Sequence, residues 1–297
     1  MKNKPLVSII SINYDQPEVT CQMLASLRNL SYKNIEIIVV DNASPKHDPQ
    51  IIKDKYPEIR LIKSKKNLGF AGGNNLAIRE AAGKYLFFLN NDTEVTPDCI
   101  GPLVDLFENN SSAGVASPKI IFYGSDNMIQ YAGSTEINPW TGRNTGIGSM
   151  ETDIGQFDGS SETDLAHGAA MMVPKTVIDK VGLMPEIYFL YYEELDWCEM
   201  IKRQGYSCHY IGESSIYHKE SISVGKSSLL KTYYINRNRL LFIRRNFFGV
   251  QKWSSYFVFL VLAIPKRSAA HALKGEWKHC AALWKGVFWN IKSSYQL

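Results

Sequence analysis

Cysteine is scarce in this sequence, and no cysteine spacing favours a cross-link or a bound metal. The 297 residues include five cysteines, an odd number, and no two of them form a Cys-x-x-Cys pair. A disulfide framework or a zinc site is therefore not expected, and a reducing compartment fits. No small-residue cleavage site follows the strand-like residues 6–13, so the sequence also predicts no secretory signal.

Acidic residues almost vanish from the C-terminal part of the chain. Residues 219–297 carry 14 Lys and Arg against two acids, a net charge of +12, whereas residues 1–218 carry 19 against 27, a net charge of −8. Four of the six tryptophans lie in the same basic segment. This asymmetry is typical of a surface-binding extension.

The main apolar run of the tail is too short for a membrane-spanning segment to be expected. The strongly apolar segment 253–264 is twelve residues long, which falls short of the roughly 20 that cross a bilayer. Downstream, lysines alternate with tryptophan and phenylalanine over residues 274–289, as in helices that lie in the lipid interface. We predict a tail held peripherally on the cytoplasmic face of a membrane. The alternative is that its aromatics pack on the first domain or form a homodimer interface.

What the sequence has is a regular alternation of strand-like and helix-like segments. Apolar strand-like runs occupy residues 7–12, 35–40, 59–62 and 85–89, and helical patterns occupy 18–30, 49–55, 71–82 and 97–109, with Pro97 in the first turn. This order predicts an α/β fold with a doubly wound, mostly parallel sheet. After residue 117 the pattern loosens, which predicts hairpins and an exposed loop over 142–161. Later segments predict helices over 174–181, 193–204 and 229–247, and a strand over 207–211.

The length and the 45% apolar content allow one large domain and an appendage. We predict a first domain over residues 1–225 and an amphipathic helical extension over residues 226–297.

Two acidic clusters follow apolar runs. Asn90-Asn91-Asp92 follows the fourth strand-like run, and Glu193-Glu194-Leu195-Asp196 follows residues 188–192. A carboxylate at the carboxyl end of a buried strand lies where open α/β sheets bind ligands. One cluster can hold a divalent cation against a diphosphate, and the other can deprotonate an acceptor. A helix cap or an acid-rich helix start is the structural alternative for each.

Two further segments contain polar residues at strand ends. Asp41 closes the second strand, where it can accept hydrogen bonds from a base or ribose, or form an Asx-turn. The run 67–75 joins the third strand to a helix, and its glycines either let a ligand approach or allow close helix packing. It contains neither Gly-x-Gly-x-x-Gly nor a P-loop, so no dinucleotide fold is indicated.

Together these segments resemble the inverting family-2 glycosyltransferases of the GT-A fold, most closely a bacterial rhamnosyltransferase-like branch. The matching segments appear in the family's order and cover residues 5 to about 245: 7–14, 39–44, 67–75, 88–92, 167–173, 192–198 and His218.

The resemblance implies a role for each matching position. Asn90-Asn91-Asp92 matches the DxD metal motif with asparagine in place of the first acid, so Mg²⁺ or Mn²⁺ would rest on Asp92, donor phosphates and His218. The residues implied in nucleotide binding are Asn13, Tyr14, Asp41, Asn67, Asn74 and Asn91.

Glu193-Glu194 matches the family's paired acids, whose second member is the catalytic base. Glu194 replaces the more usual aspartate, which leaves Glu194 and Asp196 as candidates; we favour Glu194.

The implied function is an inverting transfer of rhamnose or a similar hexose from a dTDP- or UDP-linked donor. The acceptor would be a glycan or lipid-linked hydroxyl in bacterial cell-surface polysaccharide synthesis, with no nucleic-acid partner. The alternatives are a catalytically silent nucleotide-sugar-binding or scaffold protein and a sugar nucleotidyltransferase. The latter would carry a Gly-rich, Lys- or Arg-bearing loop after the first strand, where residues 13–17 read Asn-Tyr-Asp-Gln-Pro.

Overall fold

The computed structural model describes residues 4–219 and 228–292. The chain forms two compact units. Unit 1 comprises Met1–Thr135, Gly146–Phe189 and Glu193–Ser223, and unit 2 comprises Glu136–Thr145, Leu190–Tyr192 and Val224–Leu297.

Unit 1 begins with four parallel strands joined by helices, as the alternating pattern predicts. Strands β1 and β2 are rich in valine and isoleucine and β4 is wholly apolar. β1, the end of β2 and β4 are buried, as the interior of a sheet with helices on both faces requires. The elements are β1 (Val7–Asn13), α1 (Pro17–Leu27), β2 (Ile35–Asp41), α2 (Gln50–Lys55), β3 (Arg60–Lys63), α3 (Gly69–Ile78) and β4 (Tyr85–Leu89).

The second half of unit 1 contributes six more strands to the same sheet and also contains three helices. They are β5 (Thr93–Val95), α4 (Ile100–Asn109), β6 (Ala113–Phe122), β7 (Ile129–Tyr131), β8 (Ser161–Thr163), β9 (Ala170–Pro174), α5 (Lys175–Val181), α6 (Glu193–Arg203) and β10 (Ser207–His218). A short 3₁₀ turn, Glu186–Tyr188, lies between α5 and α6.

The sheet order is β3-β2-β1-β4-β9-β6-β10-β5, with β7 on β6 and β8 on β10. Pairing is parallel from β3 to β4 and between β6 and β10, and β9 runs antiparallel between these two blocks. The mostly parallel sheet predicted from the sequence is therefore confirmed. Because Leu89 pairs with Ala170, the end of β4 and the start of β9 meet at one edge.

Unit 2 is helical in its C-terminal part: α7 (Leu229–Asn246), α8 (Gly249–Phe257), a π-helical stretch (Val258–Ala263), α9 (Ile264–Leu273) and α10 (Trp277–Lys292). Helices α7 and α10 pack closely at Gly286, where an added Cβ would lie 2.7 Å from the carbonyl oxygen of Tyr233. Leu240, Phe259 and Leu283 lie in the small buried core of these helices.

Three local predictions are wrong. Helix α4 begins at Ile100, so Pro97 precedes it. The loosened pattern after residue 117 hides the end of β6, because its polar residue Lys119 is buried and ion-paired with Asp153 and Asp158. Strand β10 continues past Ile211 to His218 through an irregularity in the register that breaks the alternation.

The helical segment that contains the apolar run of the tail is longer than the run itself. Residues 253–264 belong to a continuous helical segment, Gly249–Leu273, whose 25 residues are long and apolar enough to cross a membrane by length and composition. Helix α9 begins beyond the apolar run and contains Pro265 in its first turn, where proline is tolerated. Length alone therefore does not exclude a spanning segment.

Candidate active site

The carboxyl ends of β1 and β2 place two predicted site residues side by side. Asn13 and Asp41 are register partners, and the amide Nδ2 of Asn13 donates to Oδ1 of Asp41 over 2.7 Å. The backbone N–H of Ser44 donates to the other carboxylate oxygen over 3.1 Å, so Asp41 also forms the turn that was the alternative interpretation. Both side chains are buried.

A short hydrogen-bonded chain extends this cluster to the end of β4. Asn13 Oδ1 accepts from the hydroxyl of Thr20 over 2.8 Å, and that hydroxyl lies 3.1 Å from the donating Nδ2 of Asn91. The structure thus joins Asn13, Asp41 and Asn91 through Thr20, which the sequence did not single out. Tyr14, the residue after β1, is 38% exposed and available to a ligand.

The glycine run at the start of α3 serves close packing. Gly69 has φ +70°, and an added Cβ would lie 2.1 Å from the carbonyl oxygen of Phe189. Only glycine fits such a contact. Just before this turn, Oδ1 of Asn67 accepts a hydrogen bond from the side-chain amide of Asn42 over 3.1 Å. Asn74 lies inside α3, where its side chain donates to the carbonyl of Phe70, so the structure does not bring it to the Asn13 cluster.

Asp92 and His218 form a buried pair. Strand β5 pairs antiparallel with the end of β10, with Thr93 opposite His218. This register places Oδ1 of Asp92 3.1 Å from Nε2 of His218, and the two side chains are 7% and 6% exposed. Two residues that lie far apart in the sequence are thereby held at one point by backbone hydrogen bonds.

Gln130 orients the imidazole of His218. Its Oε1 lies 2.7 Å from Nδ1 of His218, and as an acceptor it fixes the proton on that nitrogen. The lone pair of Nε2 then faces the Asp92 carboxylate, an arrangement that requires a proton or a cation between the two atoms. No motif marks Gln130 in the sequence, because an alternating strand explains Ile129-Gln130-Tyr131 equally well.

His167 lies beside this pair in the turn before β9. Its ring centroid is 6.3 Å from that of His218 and 5.3 Å from that of Tyr131. Burial, and then the neighbouring His218, lowers the pKa of His167 to about 3. The neutral ring accepts a hydrogen bond from the backbone N–H of Ala169 at Nδ1, which shapes the turn.

The paired acids begin α6, and their side chains differ in exposure. Glu193 and Asp196 are buried, at 3% and 0% exposed, whereas Glu194 is half-buried. The carboxyl group of Glu194 packs against Gly168, where an added Cβ would lie 3.4 Å from its Cδ. Of the three acids, Glu194 is thus the one placed at the His167 turn and reached by solvent.

Backbone strain is concentrated just before these acids. Phe189, Tyr191 and Tyr192 have φ values of 64°, 67° and 77°, which bulky residues rarely adopt. Such conformations cluster at functional sites. Trp197 fixes α6 to the residue that follows α5, because its Nε1 donates to the carbonyl of Gly182 over 3.0 Å.

The donor set fits a hard divalent cation that keeps open positions. Within residues 4–219 and 228–292, no group of three or more His, Cys, Asp and Glu side chains could hold a metal alone. Asp92 and His218 offer one oxygen and one nitrogen. Adjacent ligands about 2.1 Å from an octahedral ion lie roughly 3.0 Å apart, close to the 3.1 Å observed. The remaining positions would be filled by ligand oxygens and water.

A family model for "Glycosyl transferase family 2" matches residues 8–181, more than half of the chain. The chain belongs to glycosyl transferase family 2.

Curated relatives of this family 2 member include a low-salt glycan biosynthesis hexosyltransferase of Haloferax volcanii, 26% identical over 79% of this chain and 74% of the relative. An N-acetylglucosaminyl-diphospho-decaprenol L-rhamnosyltransferase of Mycobacterium tuberculosis is 23% identical over 74% and 78%. A dTDP-rhamnosyl transferase of Shigella flexneri is 26% identical over 75% of each chain.

Solved structures of similar fold include a mannosyltransferase from Pyrobaculum calidifontis in complex with GDP-Man and Mn²⁺. Its TM-score is 0.61 at 14% identity, over 99% of this chain and 89% of that one. GalNAc-T7 with UDP, GalNAc and Mn²⁺ has a TM-score of 0.61 at 13% identity, and the match covers 80% of this chain but 48% of that one. The predicted GT-A fold and the predicted glycosyltransferase family are therefore confirmed, and the sugar nucleotidyltransferase alternative is set aside.

Proposed function

We propose that this family 2 glycosyltransferase transfers rhamnose or a similar hexose, with inversion, from a dTDP- or UDP-linked donor to a glycan or lipid-linked acceptor. The observation that carries the proposal is the buried Asp92–His218 pair at the edge of the sheet where β4 ends. Two rhamnosyltransferases and a hexosyltransferase among the relatives support the sugar class.

Donor binding is assigned to the carboxyl ends of β1, β2 and β4. Asn13 and Asp41 would hold the base and ribose, with the Asp41 carboxylate accepting hydrogen bonds from them, and exposed Tyr14 would cover the base. Asn67, Asn74 and Asn91 remain predicted members of this site, with Asn74 the least favoured because its amide is used within α3.

Asp92 and His218 would hold Mg²⁺ or Mn²⁺ with the donor diphosphate. A divalent cation there supplies Lewis-acid stabilisation of the departing nucleoside diphosphate. Asp92 contributes the negative charge that Asn90 lacks, and Gln130 keeps the Nε2 lone pair of His218 aimed at the same point.

Glu194 would take the proton from the acceptor hydroxyl. Inversion is a single displacement at the anomeric carbon, with the base on the face opposite the leaving group. General-base catalysis of this kind contributes about 10²–10⁴-fold. The half-buried Glu194 can meet an acceptor, whereas Glu193 and Asp196 are enclosed and are assigned to holding the start of α6.

Paired substitutions test the base. Glu194→Gln keeps the shape of the side chain and cannot accept a proton, so kcat should fall about 10²–10⁴-fold while donor affinity is unchanged. Asp196→Asn, the matched control, should change the melting temperature more than kcat. A fully active Glu194→Gln enzyme together with an inactive Asp196→Asn enzyme would identify Asp196, and not Glu194, as the base.

Donor class is tested by thermal shift. Ligands that bind the native state raise its stability, so dTDP or UDP with Mn²⁺ should raise the melting temperature more than either alone. GDP is the comparison nucleotide. A larger shift with GDP, or shifts that do not depend on Mn²⁺, would contradict the assigned donor or the assigned cation.

The tail is proposed to hold the enzyme on the cytoplasmic face of a membrane. Helix α10 presents an exposed stripe of Trp277, Trp284, Phe288 and Ile291 at helical spacing. Lysines flank the stripe, and each basic residue near an anionic leaflet contributes about 1 kcal/mol. The 25-residue helical segment supports attachment as well. Co-sedimentation with anionic vesicles tests this: the wild-type protein should pellet, and Trp284→Ser with Phe288→Ser should pellet less. Undiminished pelleting of the variant would exclude the α10 stripe as the membrane contact, and a wild-type protein that stays in the supernatant would favour packing of the aromatics on the first domain or in a homodimer interface.

A further inference from the structure

Unit 2 contains a cavity of about 220 Å³ that is lined by two cationic residues, one hydroxyl residue and three apolar residues. The lining residues are Thr141, Arg143, Val258, Leu262, Ala263 and Lys266. Three of them lie in the π-helical stretch Val258–Ala263, a distortion that occurs often at functional sites. An anionic group joined to an apolar chain matches such a lining.

The cations around this cavity lack acidic partners. Arg143 and Lys266 are exposed, and Arg267 donates to the amide oxygen of Asn236. In the described parts of the chain, no carboxylate forms an ion pair with Arg143, Arg239, Lys266 or Arg267. A cluster of like charges without counter-ions raises the local potential and attracts an anion.

Arg239 adds a buried positive charge to this cluster. It is 5% exposed, and its Nη2 donates to the carbonyl of Thr141, a cavity residue, over 2.8 Å. Its guanidinium lies 4.7 Å from the ring centroid of Phe259. The buried Nε has no hydrogen-bond acceptor among the described residues. Burial lowers the pKa of Arg239, and the charges of Arg143 and Arg267 lower it further. Buried charge of this kind is normally paired.

An apolar surface continues from the cavity wall. Leu262 lines the cavity and is 55% exposed, and Val261 and Phe257 on the same helical segment are 52% and 57% exposed. A ligand whose charged end sits by Arg143 and Lys266 can therefore lay an apolar chain along this surface without leaving it in water.

We propose that this cavity binds the phosphate or diphosphate headgroup of a lipid. Arg143 and Lys266 contact the phosphate oxygens. Arg239, which is hydrogen-bonded to the carbonyl of Thr141, adds a positive charge behind the cavity wall. Val258 and Leu262 pack on the first part of the lipid's apolar chain. The inference rests on the proposed lipid-linked acceptor and names its class: a phosphate-bearing, chain-like carrier rather than a free glycan.

Titration calorimetry in chelator, without donor, tests the site independently of transfer. Farnesyl diphosphate is the probe, with inorganic diphosphate and farnesol as its charged and apolar halves. We expect farnesyl diphosphate to bind more tightly than either half. Arg143→Gln with Lys266→Gln should weaken it about tenfold or more, since charge-assisted hydrogen bonds are lost. Lys278→Gln with Lys285→Gln removes the same charge from α10 and should have little effect.

Two further measurements distinguish binding in this cavity from binding at the donor site. Leu262→Gln should weaken farnesyl diphosphate and leave inorganic diphosphate unchanged. In a parallel titration with Mn²⁺ in place of the chelator, excess UDP should fail to displace farnesyl diphosphate, because UDP then occupies the donor site and leaves this cavity free. Equal losses in the two double variants, equal affinity for farnesyl diphosphate and inorganic diphosphate, or displacement by UDP would each overturn the proposal. None of these results depends on turnover, so a failure of the proposed transfer reaction would be seen separately.

Discussion

Replacing Gln130 by leucine is expected to weaken Mn²⁺ binding while the fold is preserved. Gln130 is a partly buried side chain of an edge strand, and its Oε1 lies 2.7 Å from Nδ1 of His218. Leucine has a similar volume but cannot accept the Nδ1 proton, so the ring loses the contact that aims Nε2 at Asp92. Loss of such a partner lowers metal affinity about 10–100-fold, which corresponds to about 1.4–2.8 kcal/mol.

The assay is titration of Mn²⁺ into enzyme saturated with nucleoside diphosphate. Gln130→Glu is the matched control, because a carboxylate accepts the same proton and makes the imidazole more basic. It should retain affinity that the leucine variant loses. A purely structural role would lower the melting temperature of both variants without separating their metal affinities. A leucine variant that binds Mn²⁺ as tightly as the wild type would refute the reasoning.

Three other substitutions have defined outcomes. Asp92→Asn should abolish Mn²⁺-dependent nucleotide binding and transfer without unfolding the protein; near-normal turnover in chelator would contradict this. Lys119→Met should lower the free energy of unfolding in urea by about 1–3 kcal/mol, since the half-buried carboxylate of Asp153 loses its charged hydrogen-bond partner. Burial raises the pKa of Asp153, but the hydrogen bonds from Lys119 and from the backbone N–H of Gly155, together with the charge of Lys119, bring it below its ordinary value of 3.8. That stabilisation is complete above about pH 4 and disappears in acid, where the two unfolding curves should converge. Gly69→Ala should be strongly destabilising through Phe189, whereas an alanine at half-buried Gly101, whose Cβ would have nothing within 4 Å, should be tolerated.

The parallel half of the sheet could be predicted from the sequence because its signals are local. Each of β1, β2 and β4 is a short apolar run followed by a turn and a helical pattern, and a run buried on both faces needs no polar alternation. The same logic placed Asp41 and Asp92 at strand ends, where the structure has them.

The remainder depends on pairings between distant residues. Lys119 looks like a break in a strand until Asp153 neutralises it, and β10 looks short until its irregular register is known. Asn74 was assigned by resemblance to a ligand site, but its position within α3 directs its amide to Phe70. Gln130 carries no signal at all, because its function exists only once His218 lies beside it.

The Asp92–His218 pair also has a consequence for how the chain must be assembled. The two residues are 126 positions apart, and β10 is the last strand of the sheet. Any fragment that ends before residue 218 can contain the carboxyl ends of β1, β2 and β4 but only half of the proposed cation site. A growing chain on the ribosome would therefore complete the proposed nucleotide-binding edge before it completes the proposed cation site. A polypeptide that ends before residue 218 lacks one of the two proposed cation ligands, so we expect it to bind the cation weakly even where the parallel strands have formed.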